Sequence, residues 1–142
     1  MGGSMPDDIV LNKAAIIERC VARVREVHAG DDANLHENAT KQDSIILNIQ
    51  RACEATIDLA MHIVNTERLG VPQESRDAFQ LLSDADRIDE DLAYRLMKMV
   101  DFRNVAVHDY RKLNLDVVEN IVKIELDALM EFSKLTIQNT DE

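Results

Sequence analysis

Residues 103–110 read RNVAVHDY, bringing Arg103, His108 and Tyr110 into one short segment. Arginine grips a phosphate bidentately, and histidine moves a proton near neutral pH. Together they supply what phosphodiester chemistry needs, a charge sink and an acid or base. The arginine is also out of place. In a helix over 90–107, Leu92, Leu96, Met99 and Val100 recur at offsets of three and four, and Arg103 and Val107 come next on that face. A cation therefore stands where the pattern asks for leucine. Burying an unpaired guanidinium costs several kcal/mol, so a break in the core pattern here points to function. Five residues along a helix turn the side chain by about 140°. One unbroken helix would not aim Arg103 and His108 at the same point, so either the helix ends between them or two chains share a site.

The elements that must position these residues are helical. The chain has 142 residues, 46% of them hydrophobic but only 4% aromatic, with four Gly and two Pro. That composition favours helices over a sheet sandwich and allows one domain. Residues 1–5, MGGSM, read as an expression scar, and 6–142 as the single domain. No cleavable apolar leader follows and no apolar run approaches a membrane span, so a cytoplasmic protein without a membrane partner is expected. Cys20 and Cys53 lack metal or redox spacing and read as core thiols in a reducing compartment.

Five helical segments are expected. The first runs from Asp7 or Asp8 to His28, with Val10, Ala14, Ile17, Val21, Val24 and Val27 inward. Residues 30–42 read as a loop. The second helix spans Asp43 to Leu69, stopping at Gly70, and its broad apolar surface marks it as central. A short helix follows from Ser75 to Ser83 or Ala85. The fourth runs from Asp89 into the motif, and the last from an Asn114 cap to Ile137. Four long helices with short connections predict an all-α fold, an antiparallel four-helix bundle with one additional short helix.

The second helix carries Glu54, Asp58 and His62 in one column at i, i+4 and i+8. A di-metal site would need a matching Glu-x-x-His on another helix, and none is present, so no metal is expected. A solvated face remains open, as does a buried seam in which Glu54 or Asp58 pairs with Arg103.

Charge opposes a nucleic-acid ligand over most of the surface. The net charge is -11, with 27 acidic residues against 16 basic ones, whereas nucleic-acid binders ordinarily show a basic footprint. Any such site must be local, and Arg51, Lys98, Arg103, Arg111 and Lys112 are candidates for a patch around the motif.

With ten Arg and four His in the chain, a bare Arg-x4-His is expected by chance roughly 0.3 times. Adding Asn104 beside the Arg and Tyr110 beyond the His makes coincidence far rarer. RNVAVHDY resembles the Arg-x4-His-x-Tyr motif of the HepT-like toxins, in the HEPN superfamily of metal-independent ribonucleases. QRACEATIDLAMH, LGVPQESRDAF and MVDFRNVAVHDY follow in the order and spacing of that family, so the likeness covers nearly the whole chain. The resemblance implies that Arg103 and His108 are the catalytic pair, Asn104 their polar neighbour, and Tyr110 the tyrosine that receives AMP. It also implies a HEPN-like two-fold homodimer whose motifs face each other across a cleft. RNA would be the substrate, with no DNA. The partner would be a minimal nucleotidyltransferase antitoxin of the MntA type, which uses ATP, while the toxin itself needs no cofactor. RNA brings its own nucleophile, the 2'-hydroxyl, so cleavage needs only proton transfer by His108 and charge stabilisation by Arg103. The alternative is a noncatalytic helical adaptor or nucleotide-binding subunit, in which the motif caps a helix or holds a ligand.

Overall fold

A computed structural model describes residues 7–140, which carry no β-strand. The expected expression scar at 1–5 lies outside these residues. Helix α1 (Asp8–His28) is capped by Asp7, whose carboxylate accepts from the amides of Ile9 and Val10, and buries Val10, Ala14, Ile17, Val21 and Val24. Helix α2 (Ala33–His36) is a single turn, followed by α3 (Ala39–Thr66), α4 (Ser75–Asp84) and α5 (Glu90–His108). A 3-10 turn at Tyr110–Lys112 leads into α6 (Leu115–Asn120), which continues through a π turn (Ile121–Glu125) into α7 (Leu126–Thr140). The all-α expectation holds: four long helical elements pack together, with α4 against α3 and α5.

Helix α3 is the centre, as its apolar breadth implies, contacting α1, α2, α4, α5 and α7. Its bounds differ from expectation. Residues 30–42 are not a plain loop: the turn of α2 buries Leu35 completely, and Asn38 caps α3 by accepting from the Lys41 amide, so α3 begins at Ala39 rather than Asp43. A polar stretch hid one anchoring leucine and one capping asparagine. At the other end α3 stops at Thr66. Arg68, at φ 55°, takes the left-handed position, and the Leu69 amide reaches back to the Val64 carbonyl. Gly70 has a separate reason, because a Cβ there would stand 2.8 Å from Leu81 Cδ2.

The last helix buries Val118, Val122 and Leu126 at steps of four. In a regular α-helix such steps drift around the axis by about 40° each. The π turn absorbs that drift and brings Leu126, Leu129 and Phe132 back onto the core. Arg95 of α5 meets the turn, donating from Nε to Glu125 at 2.8 Å and from Nη2 to the Ile124 carbonyl at 3.3 Å. Phe132 packs edge-on against Phe79 of α4, ring centroids 5.8 Å apart. Among the described residues no helix is long and apolar enough to cross a membrane.

Candidate functional site

The motif occupies the end of α5 and the turn beyond it. Helix α5 starts at an Asp89 cap, whose side chain takes the Leu92 amide at 2.7 Å, and buries Leu92, Leu96, Met99 and Val100 as the periodicity requires. It continues without a break through Arg103 to His108. A helix ending between the pair, the first of the two solutions open to the sequence, is therefore not the one adopted. Arg103 and His108 of one chain leave α5 about 140° apart.

Arg103 is half-buried. Its Nε is fully enclosed and has no hydrogen-bond partner, and the side chain makes no ion pair among the described residues. The expected seam with Glu54 or Asp58 is thus not formed within the chain. Asp58 is instead paired with Lys13 of α1 at 3.1 Å, and Glu54 accepts from Gln50 of its own helix at 3.4 Å. His62, last of the column, meets Asp7 at 2.5 Å, and that hydrogen bond holds the Asp7 carboxyl below its usual range. The column is divided among three separate partners, Lys13 of α1, its cap Asp7, and Gln50 of α3 itself. Among the described residues no group of three or more His, Cys, Asp and Glu could hold a metal.

The Arg103 charge is felt at the buried Cys53 thiol. Complete burial pushes that thiol up to about 12, and the arginine charge works against the push. An enclosed donor with no acceptor costs about 1–3 kcal/mol, a cost with no return in the folding of the chain itself. Asn104 is exposed beside it. His108, the last residue of α5, is exposed and has no hydrogen-bond or ionic partner among the described residues.

Tyr110 opens the 3-10 turn, which folds it back towards α3. Its Oη donates to Asp43 Oδ1 at 2.6 Å, while the residue stays 44% exposed. Partial burial and, after it, the Asp43 carboxylate raise the phenol from 10.0 to about 12. The sequence marks Asp43 only as a helix start, because nothing local connects it to a tyrosine 67 residues away. The raised value favours the protonated phenol in the folded state, so its stabilising contribution is complete below pH 10 and is lost as the pH rises towards 12. In a Tyr94→Phe background, with Tyr110 as the remaining tyrosine, Asp43→Asn should shift the tyrosinate absorbance titration to lower pH. An unmoved midpoint would mean that Asp43 does not hold the phenol.

The basic patch expected around the motif is divided. Arg51 joins Arg19 and Arg23 in a hollow between α1 and α3. Lys98 and Lys112 border a mainly apolar depression with Phe102, Val105 and Val117, and the Lys98 ammonium sits 5.2 Å from the Tyr94 ring centroid.

The helical bundle thus carries an arginine unpaired among the described residues, an exposed histidine five residues later and a tethered tyrosine, groups of the kind that phosphodiester chemistry uses. Residues 17–136 match the family model described as Ribonuclease HepT-like. The chain belongs to the HepT-like ribonuclease family. It is 48% identical over 126 residues to the mRNA nuclease HepT of Shewanella oneidensis, covering 89% of this chain and 94% of that one. The fold matches a crystal structure of a toxin–antitoxin complex with AMP-PNP at a TM-score of 0.86 and 46% identity, over 91% of this chain and 97% of the other. It matches equally, at 0.86 and 46% over 91% and 96%, a structure of the tri-AMPylated Shewanella oneidensis HEPN toxin in complex with its MNT antitoxin.

Proposed function

We propose that this chain is a metal-independent endoribonuclease toxin that works as a two-fold dimer and is silenced when a partner nucleotidyltransferase attaches AMP to Tyr110. The observation that carries the reading is Arg103: its Nε is enclosed without an acceptor on the same helix as an unengaged histidine. The relatives supply the setting, an mRNA nuclease and an AMPylated toxin bound to its antitoxin.

His108 takes a proton from the 2'-hydroxyl, whose oxygen bonds to the adjacent phosphorus, or returns one to the departing 5'-oxygen. The P–O5' bond breaks, leaving a 2',3'-cyclic phosphate and a 5'-hydroxyl. Arg103 holds the charge that builds on the phosphoryl oxygens. The angle between the two side chains on α5 makes a single chain an incomplete site, and a two-fold pairing lets Arg103 of one protomer meet His108 of its partner. AMP on Tyr110 places a phosphodiester charge and a bulky adenosine two residues past His108, repelling and obstructing an RNA phosphate.

Incubation of the purified protein with the cognate nucleotidyltransferase and ATP should raise its mass by whole AMP units on Tyr110, not Tyr94, and stop RNA cleavage in EDTA without loss of helicity. Tyr110→Phe should cleave RNA and escape silencing. Full silencing of that variant would place the modification elsewhere, and a wild-type protein that leaves RNA intact would be an adaptor rather than a nuclease.

A further inference from the structure

Six of the 16 lysines and arginines of this acidic chain are neutralised across elements. Lys13, Arg25, Arg76, Arg87, Arg95 and Lys123 each face a carboxylate from another element. Arg19 and Arg51 do not, making no ion pair among the described residues, and Arg23 reaches only Glu26 of its own helix, at 3.2 Å in an exposed pair. These three arginines line one hollow of about 440 Å³ between α1 and α3, together with Ser44, Asn48 and Asp43. Arg19 and Arg23 stand at i and i+4 on α1, a like-charge spacing that costs helix stability. Ser44, Asn48 and Arg51 repeat at i, i+4 and i+7 along one face of α3. A neighbouring hollow of about 330 Å³ shares Arg19, Asn48 and Arg51 and extends the groove along the seam between the helices. Its carboxylates are Glu54 and Asp58, the latter held by Lys13, so the unbalanced positive charge lies in the first hollow. There the single carboxylate, Asp43, accepts the Tyr110 hydroxyl. The cationic groove therefore begins where the motif segment ends.

Arginine forks flanked by serine and asparagine are the usual partners of phosphate oxygens, and the groove offers no aromatic shelf for stacking a base. We propose that the α1–α3 groove is a phosphodiester-binding subsite that seats the sugar–phosphate backbone of the RNA strand flanking the cleaved bond, through Arg19, Arg23 and Arg51. The assignment rests on the ribonuclease reading above, and deepens it by locating the substrate's path outside the motif.

The test is fluorescence anisotropy of a labelled, uncleavable 2'-O-methyl oligoribonucleotide with the full-length protein, titrated at several salt concentrations. Arg19→Ala/Arg51→Ala should weaken binding at least about tenfold and reduce the slope of log affinity against log salt by about 0.7 for each phosphate that is no longer neutralised. Arg19→Lys/Arg51→Lys, which keeps the charges, should retain most of the slope. Arg25→Ala, remote on the pair with Asp127, should leave binding as it was. Excess ATP should not displace the strand. A double alanine variant that binds like wild type, or an Arg25→Ala loss of the same size, would overturn the subsite while leaving the ribonuclease reading intact, provided wild type cleaves RNA. Displacement by ATP would make the groove a mononucleotide site and overturn the strand assignment. A wild-type protein that neither binds nor cuts RNA would overturn both.

Discussion

His108→Ala should abolish RNA cleavage and leave the fold untouched. A positioned acid or base contributes about 10²- to 10⁴-fold, so the variant should fall to the background of an RNA-only control over a matched time course. The histidine is exposed at the last position of α5, outside the buried set that ends with Ala106. Thermal unfolding and helical circular dichroism should therefore match wild type. Retained cleavage by a folded variant would remove His108 from the mechanism and reduce the motif to a helix end. Because the reading combines residues of two protomers, the mixture of inactive His108→Ala and inactive Arg103→Ala proteins is also informative. Exchanged heterodimers should regain activity, since one of their two composite sites is intact.

Arg103 should separate activity from stability. Removing a donor aimed at developing charge costs about 10²- to 10³-fold in rate, and Arg103→Met should show at least that loss. A buried pair with Glu54 or Asp58 would make the same substitution destabilising by about 3–5 kcal/mol, because a carboxylate would be stranded. The structure engages those carboxylates elsewhere and leaves the arginine's Nε without an acceptor. Methionine keeps the stem's packing and removes a donor whose isolation costs about 1–3 kcal/mol. Urea unfolding should accordingly show Arg103→Met unchanged or more stable by roughly 1 kcal/mol. Cycles combining it with Glu54→Ala or Asp58→Ala should be additive within about 0.5 kcal/mol. A loss of about 3 kcal/mol together with strong coupling to either carboxylate would restore the polar seam.

The helices and the chemistry of the motif are legible in the order of the residues alone, for reasons that are local. Periodicity of 3.6 selects the buried face of α1, α3 and α5, and the starts read near Asp7, Asp89 and the Asn114 cap are ones that the structure reproduces. Arg103 betrays itself within its own helix, because it interrupts a stripe whose other members are apolar. Boundaries failed where a single residue carried the signal, as with Leu35 inside a polar stretch and Arg68 in the left-handed position ahead of Gly70. Which element covers a given face is a different kind of information. Helical spacing placed Glu54, Asp58 and His62 in one column but was silent on what lies across from it. Only the packing of α1 against α3 gave Asp58 to Lys13, 45 residues away, and His62 to Asp7, 55 residues away. The same packing collected Arg19, Arg23 and Arg51 into one hollow, and the turn after α5 brought Tyr110 onto Asp43. Each of these contacts joins residues whose proximity depends on how helices dock. Docking is decided by the summed shape of two apolar faces rather than by any short stretch of chain.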